Sequence, residues 1–599
     1  MDYQPRLDDV QHILTAVLDA SAQLQALPPF AEVDADLVQQ VLEEAGKFVA
    51  SAIAPLQRVG DETGCRFDAG VVSAPPGFRQ AYQAFWQGGW PSLACATEDG
   101  GQGLPAVLEA VLYEMLSAAN HGWTMAPGLL HGAYECLKHH GSEELKARYL
   151  GKIATGEWLA TMCLTEPQAG SDLGLVRTKA TPQGDGFRLS GTKIFISGGE
   201  HDLTDNIVHL VLARLPDAPA GPKGLSLFLA PKFLPDGRRN PIVCERIEEK
   251  MGLHGSPTCV MRFEEATGWL VGEPNRGLNA MFVMMNAARL HVGLQGIGLL
   301  EAAWQKAHAY AQERRQMRAP RTRNAHQEAN LSAAGPSQGA RAPSGGSAAH
   351  AVASVGADLI AEHPAIQRML DTQRAWIDGG RVLAYRTAVE LDIAKHHTDA
   401  PRREAAQRWC SLVTPVLKAA FTHQAFHGAS ECLQVFGGHG YVREWGIEQI
   451  VRDARVAMIY EGTNEIQAID LLLRKVLPDG GAALSALLQE LAAGLDAGQA
   501  AEAGVLRRFA AVRELAAQLS QASARHAELP YWVADDFLRA VALALLGWAW
   551  TRIDAAARPS PTPRWAAPAR ALHGWILPEF DMRQQIIRDQ LTQLDVLAA

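Results

Sequence analysis

The chain has 599 residues, enough for several domains with large cores, and its 48% apolar and 20% charged residues exclude a disordered protein. Its formal net charge of -10 speaks against a general nucleic-acid binder, because phosphate contacts need basic surface. The eight cysteines form no CxxC pair and match no zinc spacing, so no metal is expected and a reducing compartment suits them as small buried side chains. Met1 to Pro5 shows no basic stretch leading into an apolar run, so no signal peptide is expected and the chain is assigned to the cytoplasm.

In chain order, residues 1–158 read as a helical domain. Leu37, Val38, Val41, Leu42, Ala45 and Phe48 recur at helical spacing, as do Leu108, Val111, Leu112 and Met115. Gly101 to Ala106 fits the G-x-G-x-x-A dinucleotide pattern. No buried parallel strand precedes it, and Glu98 and Asp99 would repel a pyrophosphate, so it is read as a turn between helices. The pattern then changes, and 159–277 reads as a β domain. Phe187–Ser197, Ile207–Leu212, Leu225–Leu229 and Cys259–Phe263 alternate or form short apolar runs bounded by glycines.

Helical periodicity returns over 278–477. Leu278 to Met317 is one pattern, in which Gly293, Gly296 and Gly298 would permit close helix packing. The segment 318–356, rich in Ala, Gly, Ser and Pro, interrupts it as a predicted disordered insert. After Pro478-Asp479-Gly480-Gly481, residues 478–599 read as an extra helical domain with no lysine and 11 arginines against 13 acidic residues. Its run Ala540 to Trp550 is too short to span a bilayer and is read as a buried helix, so no membrane span is expected. Helices, β block, helices and extra helices make an α+β order of segregated elements.

Four segments carry candidate chemistry. In Met458 to Gln467, Glu461 stands at an apolar edge beside Gly462 and Thr463, where poor solvation would raise its proton affinity toward that of a working general base. The competing reading is Thr463 or Asn464 as a helix cap with an acidic residue just outside. Cys163 to Asp172 offers the hydroxyls of Thr165 and Ser171, with Gly170 allowing close backbone approach, for the polar edge of a ring and a phosphate. Phe195-Ile196-Ser197-Gly198-Gly199 sets an aromatic wall beside a hydroxyl donor. Gln434 to Tyr441 is a glycine turn between helices.

Together, in this order and with the change from helix to sheet to helix, the four segments resemble the acyl-CoA dehydrogenase family over roughly residues 30 to 475. The length, the C-terminal unit, Lys250 to Cys259 and Gly268 to Glu273 are similar to its longer members of about 600 residues, the 3-methylmercaptopropionyl-CoA and bacterial long-chain acyl-CoA dehydrogenases. The resemblance implies a C-terminal four-helix bundle and a bound FAD between the β domain and that bundle. Thr165 resembles the hydroxyl at the flavin pyrimidine edge, Ser197 the donor to flavin N5, and Phe195 the aromatic packed on the ring. Ser171 matches a serine near the pyrophosphate and the CoA chain. Arg314, Gln434, Gly437 and Gly438 resemble groups reaching the FAD of a neighbouring subunit, and Thr463 and Glu465 match positions lining the cofactor. Arg289 matches an arginine contacting CoA, and the resemblance implies that Gly462 would lie beside the substrate. Asn286 stands where many shorter members carry aspartate, and Gln316 and Met317 replace their usual Thr-Phe pair.

The family reaction forms a Cα–Cβ double bond in an acyl-CoA. Glu461 would take the Cα proton, flavin N5 the hydride, and the base's own N–H with a flavin hydroxyl would hold the enolate oxygen. The resemblance further implies an electron-transfer flavoprotein as electron acceptor and, with the extension covering tetramer surface, a homodimer. Two rivals keep the flavin: an oxidase using oxygen, and a nucleic-acid-associated stress protein, whose expected basic C-terminal surface is missing. His254 and His439, beside glycines, are assigned to hydrogen-bonded roles, as are the carboxylates Glu166 and Asp172. Arg452, Asp453 and Arg455 are assigned to a structural ion-pair network.

Overall fold

A computed structural model describes residues 2–320, 356–557 and 563–597. The central insert 318–356 therefore lies, apart from its ends, outside the described residues. The N-terminal region is helical, as its periodicity predicts. Helix Ala35–Phe48 starts where the Asp34 carboxylate accepts from Leu37 N at 2.8 Å, and helix Ala106–Thr124 is buried almost all round. The glycine segment before that helix, from Gly101 to Pro105, is a loop that follows a short 3₁₀ turn, Thr97–Asp99. One element departs from the helical reading: β1 (Arg66–Asp68) and β2 (Val71–Ser73) form a hairpin around Ala69 and Gly70, both at positive φ. Strands of three residues are too short to set up a visible alternation.

Seven strands form the middle of the chain: β3 (Leu159–Cys163), β4 (Lys179–Gln183), β5 (Gly186–Ser197), β6 (Ile207–Arg214), β7 (Leu225–Pro231), β8 (Ile242–Ile247) and β9 (Thr258–Val271). The pairings β6–β4–β5–β9–β7–β6 close on themselves, with β3 added parallel to β6 and β8 antiparallel to β9. On β6 and β7, Val211, Ala213, Phe228 and Ala230 fill the inside of this ring. Val208, Leu210, Leu227 and Leu229, one residue out of phase, pack on the helical core. Both faces are buried, which is why these strands read as continuous apolar runs.

Helices Gly277–Ala311, Pro364–His396, Ala400–Val416 and Thr422–Phe436 make the C-terminal bundle. Gly296 lets two of them touch: a Cβ there would lie 2.7 Å from Phe421 O. The bundle is tied to the first helices by buried ions, with Arg381 Nη2 2.6 Å from Glu114 Oε1 and 3.2 Å from Glu301 Oε2. The long helix stops at Ala311 instead of continuing to Met317. Met317 has φ +56 and Arg315 pairs with Leu359 in an isolated bridge, neither compatible with a helix. In the extension, the run Ala540 to Trp550 lies inside helix Leu529–Ala557, which docks on the bundle: Trp550 Nε1 donates to Ala375 O at 2.9 Å, and the Arg539 guanidinium sits 4.6 Å from the Trp376 ring. Among the described residues no helix is long and apolar enough to cross a membrane.

Candidate active site

The chain turns sharply between helix Ile447–Arg455 and helix Asn464–Ile469, with Glu461 at φ +56 and Gly462 at φ +83. A left-handed glutamate costs on the order of 1 kcal/mol, and such strain persists where neighbours hold it. Here Gln467 Nε2 donates to Glu461 O and Gly462 O, both at 3.2 Å, and Thr463 Oγ1 accepts from Ile466 N at 3.3 Å. Thr463 is thus the helix cap, and Glu461, just outside it, lines a cavity.

Glu461 lines that cavity with Phe195 and Ser197 of β5, Met162 of β3, His291 and Gln295 of the long helix, and Tyr460. Burial pushes the Glu461 carboxyl up from 4.5 to about 7, against the opposing pull of the Arg289 and Lys418 cations. Arg289 is buried, 3.5 Å from Asp470 Oδ2 and 3.3 Å from Asn286 Oδ1, and its Nε has no hydrogen-bond partner among the described residues. Tyr460 Oη donates to Gln295 Oε1 at 2.5 Å.

The opposite wall comes from a break in β5. The β5–β9 register shifts between Lys193 and Ile196, and inside the shift Phe195 has φ +59 and is 61% exposed. Such bulges re-aim a side chain. Below it, Lys193 Nζ donates to Leu164 O at 3.0 Å and Glu166 Oε1 at 2.9 Å, and Ile194 N donates to Thr165 O at 2.9 Å. Glu166 also accepts from Arg177 N at 2.7 Å and Thr178 Oγ1 at 2.5 Å. Burial works against its ionisation, but Lys193 and these bonds hold its carboxyl down at about 2. The bulge and the Thr165 loop are thereby fastened as one piece. An aromatic ring this open, beside the Ser197 hydroxyl and the Thr165 loop, fits a flat apolar ring with a polar edge.

The remaining expected site residues fall in two places. Ser171 is exposed on the loop after Thr165, and Glu465 is exposed one residue into the capped helix. Arg314, Gln434, Gly437 and Gly438 gather at a separate exposed corner and do not line the cavity. There Tyr310, one turn before Arg314, stacks on Phe436 at 4.3 Å and donates to or accepts from His439 Nδ1 at 2.9 Å. His439 also stacks on Trp445, and His254 contacts Asp61 and Lys250 O, so both histidines are engaged structurally. Asp172 caps Gly174 N at 2.8 Å. Arg452 pairs with Asp61 and Glu448, whereas Asp453 accepts from Leu253 N and Arg455 lies over Phe426. The expected network is thus a set of separate contacts around a helix.

Sequence profiles of the N-terminal, middle and C-terminal domains of acyl-CoA dehydrogenases match residues 36–157, 161–266 and 326–476. A 3-methylmercaptopropionyl-CoA dehydrogenase of Ruegeria pomeroyi is 43% identical over 522 residues, covering 86% of this chain and 83% of that protein. The chain belongs to the acyl-CoA dehydrogenase family. It is accordingly an FAD-dependent oxidoreductase. A broad-specificity linear acyl-CoA dehydrogenase of Mycobacterium tuberculosis is 35% identical over 78% of this chain and 74% of its own. The fold is also that of an acyl-CoA dehydrogenase from Bacillus anthracis solved with FAD, with TM-score 0.71 at 20% identity over 94% of this chain and 91% of that one.

Three participants escaped sequence reasoning. Lys193 looked like one more strand lysine. His291 and Gln295 stand four apart on one helix, a spacing that places both on one face but does not say which cavity that face meets.

Proposed function

We propose that this dehydrogenase converts an acyl-CoA thioester to its trans-2-enoyl-CoA with Glu461 as the base. One observation carries the proposal: a desolvated carboxylate on a strained turn faces the exposed Phe195 and Ser197 across one cavity. Phe195, Ser197, Thr165 and Ser171 would hold FAD in its own subunit, with Thr463 and Glu465 at its edge. Arg314, Gln434, Gly437 and Gly438, clustered away from the cavity, would reach the FAD of a second copy in a homodimer. When bound, FAD supplies the hydride acceptor. Glu461 removes the Cα proton, and its raised affinity near neutral pH matches a base that must both take and release a proton. Its backbone N–H has no hydrogen-bond partner among the described residues and can donate to the thioester oxygen. An acyl group in the cavity excludes water and leaves Glu461 less solvated still. An electron-transfer flavoprotein then takes the electrons away.

The wall beside the base supports a short acyl group that carries a heteroatom. His291, Gln295 and Tyr460 put polar atoms where an alkyl chain would need hydrocarbon, and the Gln295 amide nitrogen has no partner among the described residues. Leaving one such group unpaired costs about 1–3 kcal/mol, or roughly 10- to 100-fold in specificity. The name of the Ruegeria pomeroyi relative points to the same chemistry. Anaerobic bleaching of the flavin tests this. 3-methylmercaptopropionyl-CoA is expected to react at least ten times faster (order of magnitude) than pentanoyl-CoA, its carbon isostere. Gln295→Leu should narrow the gap, and equal rates in the native protein would sink the substrate assignment.

A further inference from the structure

Lys418 has no part in the steps above, yet it is fully buried. It sits in a π-helical turn, Leu417–Phe421, between two bundle helices, and such widened turns occur often at functional sites. Its Nζ donates to Asn464 Oδ1 at 3.0 Å and has no second hydrogen-bond partner and no ion pair among the described residues. Asn464, three residues after the base, also accepts from Thr422 Oγ1 at 3.1 Å and donates to Ala419 O at 3.1 Å, so it is a fixed anchor. An ammonium carries three donors, and burying it against one neutral acceptor is expensive compared with an apolar side chain of the same length.

The surrounding charges suggest what offsets that expense. Lys418 is faced by Glu461 from the turn, Glu465 from the capped helix and Arg289 from the long helix. Glu461 is faced by the same two cations and is flanked by Tyr460. Arg289 is shared with Asp470, which also holds Lys475 at 3.2 Å and Arg474 at 3.6 Å. Lys418 is the cation near the base that no carboxylate claims by an ion pair among the described residues.

We propose that Lys418 is a positioning residue: its buried ammonium, fixed on Asn464, biases Glu461 toward the carboxylate and keeps the base ready to accept a proton. The proposal rests on Glu461 being the base. Burial lowers Lys418 from 10.5 to about 7, the range in which Glu461 itself titrates, so the two groups bind and release protons as a coupled pair.

The test follows the Glu461 carboxyl in the FAD-bound protein by its infrared carboxylic-acid band, assigned by its loss in Glu461→Gln. Lys418→Gln keeps a donor to Asn464 and removes the charge; Lys418→Met removes both and is the second variant. The midpoint of the Glu461 band is expected to rise by about one pH unit in both variants. The acid limb of kcat/KM with 3-methylmercaptopropionyl-CoA should rise with it, while the rate above the limb stays within about threefold. An unmoved midpoint in folded, yellow protein overturns the proposal, and so does a lower melting temperature or lower plateau without any shift, which is what a purely structural lysine would give. Normal flavin reduction by Glu461→Gln would instead overturn the assignment of the base itself, so the two failures are distinct.

Discussion

Replacing Glu461 by glutamine keeps the size of the side chain and removes its proton chemistry. Two effects of opposite sign are expected. Losing a general base costs about 10²- to 10⁴-fold in the rate of flavin reduction. Stability should move the other way. The carboxyl ordinarily ionises at 4.5 and in the folded chain at about 7, so holding it ionised costs roughly 3 kcal/mol, nearer 2 because the group keeps some solvent contact. The folded-state value is raised, so this cost is absent below about pH 4.5 and complete only above about pH 7. Glutamine escapes it. The variant should therefore melt about 2 °C above the native protein at pH 8, given the large unfolding entropy of so long a chain, and level with it at pH 4. Paired melting scans at the two pH values, with anaerobic stopped-flow reduction of the flavin, read both effects. An equal melting difference at the two pH values would show that Glu461 is not desolvated. Undiminished flavin reduction would show that it is not the base.

Lys193→Met strands Glu166 as a buried carboxylate and should cost about 3–5 kcal/mol, read as a lower melting temperature. Because the Glu166 carboxyl is held at about 2, its stabilising contribution is complete above about pH 4.5 and lost as pH falls through about 2; the deficit of the variant should shrink over that window. A deficit independent of pH would place the damage elsewhere. Gly379→Leu drives a side chain into Leu546 and Trp550, since a Cβ at 379 already lies 3.1 Å from Trp550 Nε1. Overpacking of about 1–3 kcal/mol should loosen helix Leu529–Ala557 and release a C-terminal fragment in limited proteolysis; unchanged digestion would mean that the extension docks elsewhere.

Much of the architecture was legible because its causes are local. Helical spacing in Leu37 to Phe48, apolar runs in β6 and β7, and the glycines beside Glu461 each answer a backbone or burial demand that recurs within a few residues. Strands β3, β4 and β8 were missed for equally physical reasons. β3 is buried at every position, so it shows no alternation, and β4 carries Pro182. The site was legible to the same extent. Glu461 stood out by its neighbours in sequence, whereas Lys193, Gln295 and Lys418 owe their importance to partners 27 to 165 residues away, and His291 to the cavity it lines.

From the order of its residues alone, the chain determined a helix–sheet–helix plan, a carboxylate on a tight turn, and an aromatic-hydroxyl pair on a strand. Tertiary structure alone decided that these meet: the ring of strands shifts register at Phe195 and opens it toward the Glu461 turn. It also decided the proton affinity of Glu461, because that depends on the solvent lost and the cations gathered around the group, and both are set by segments that approach only after folding.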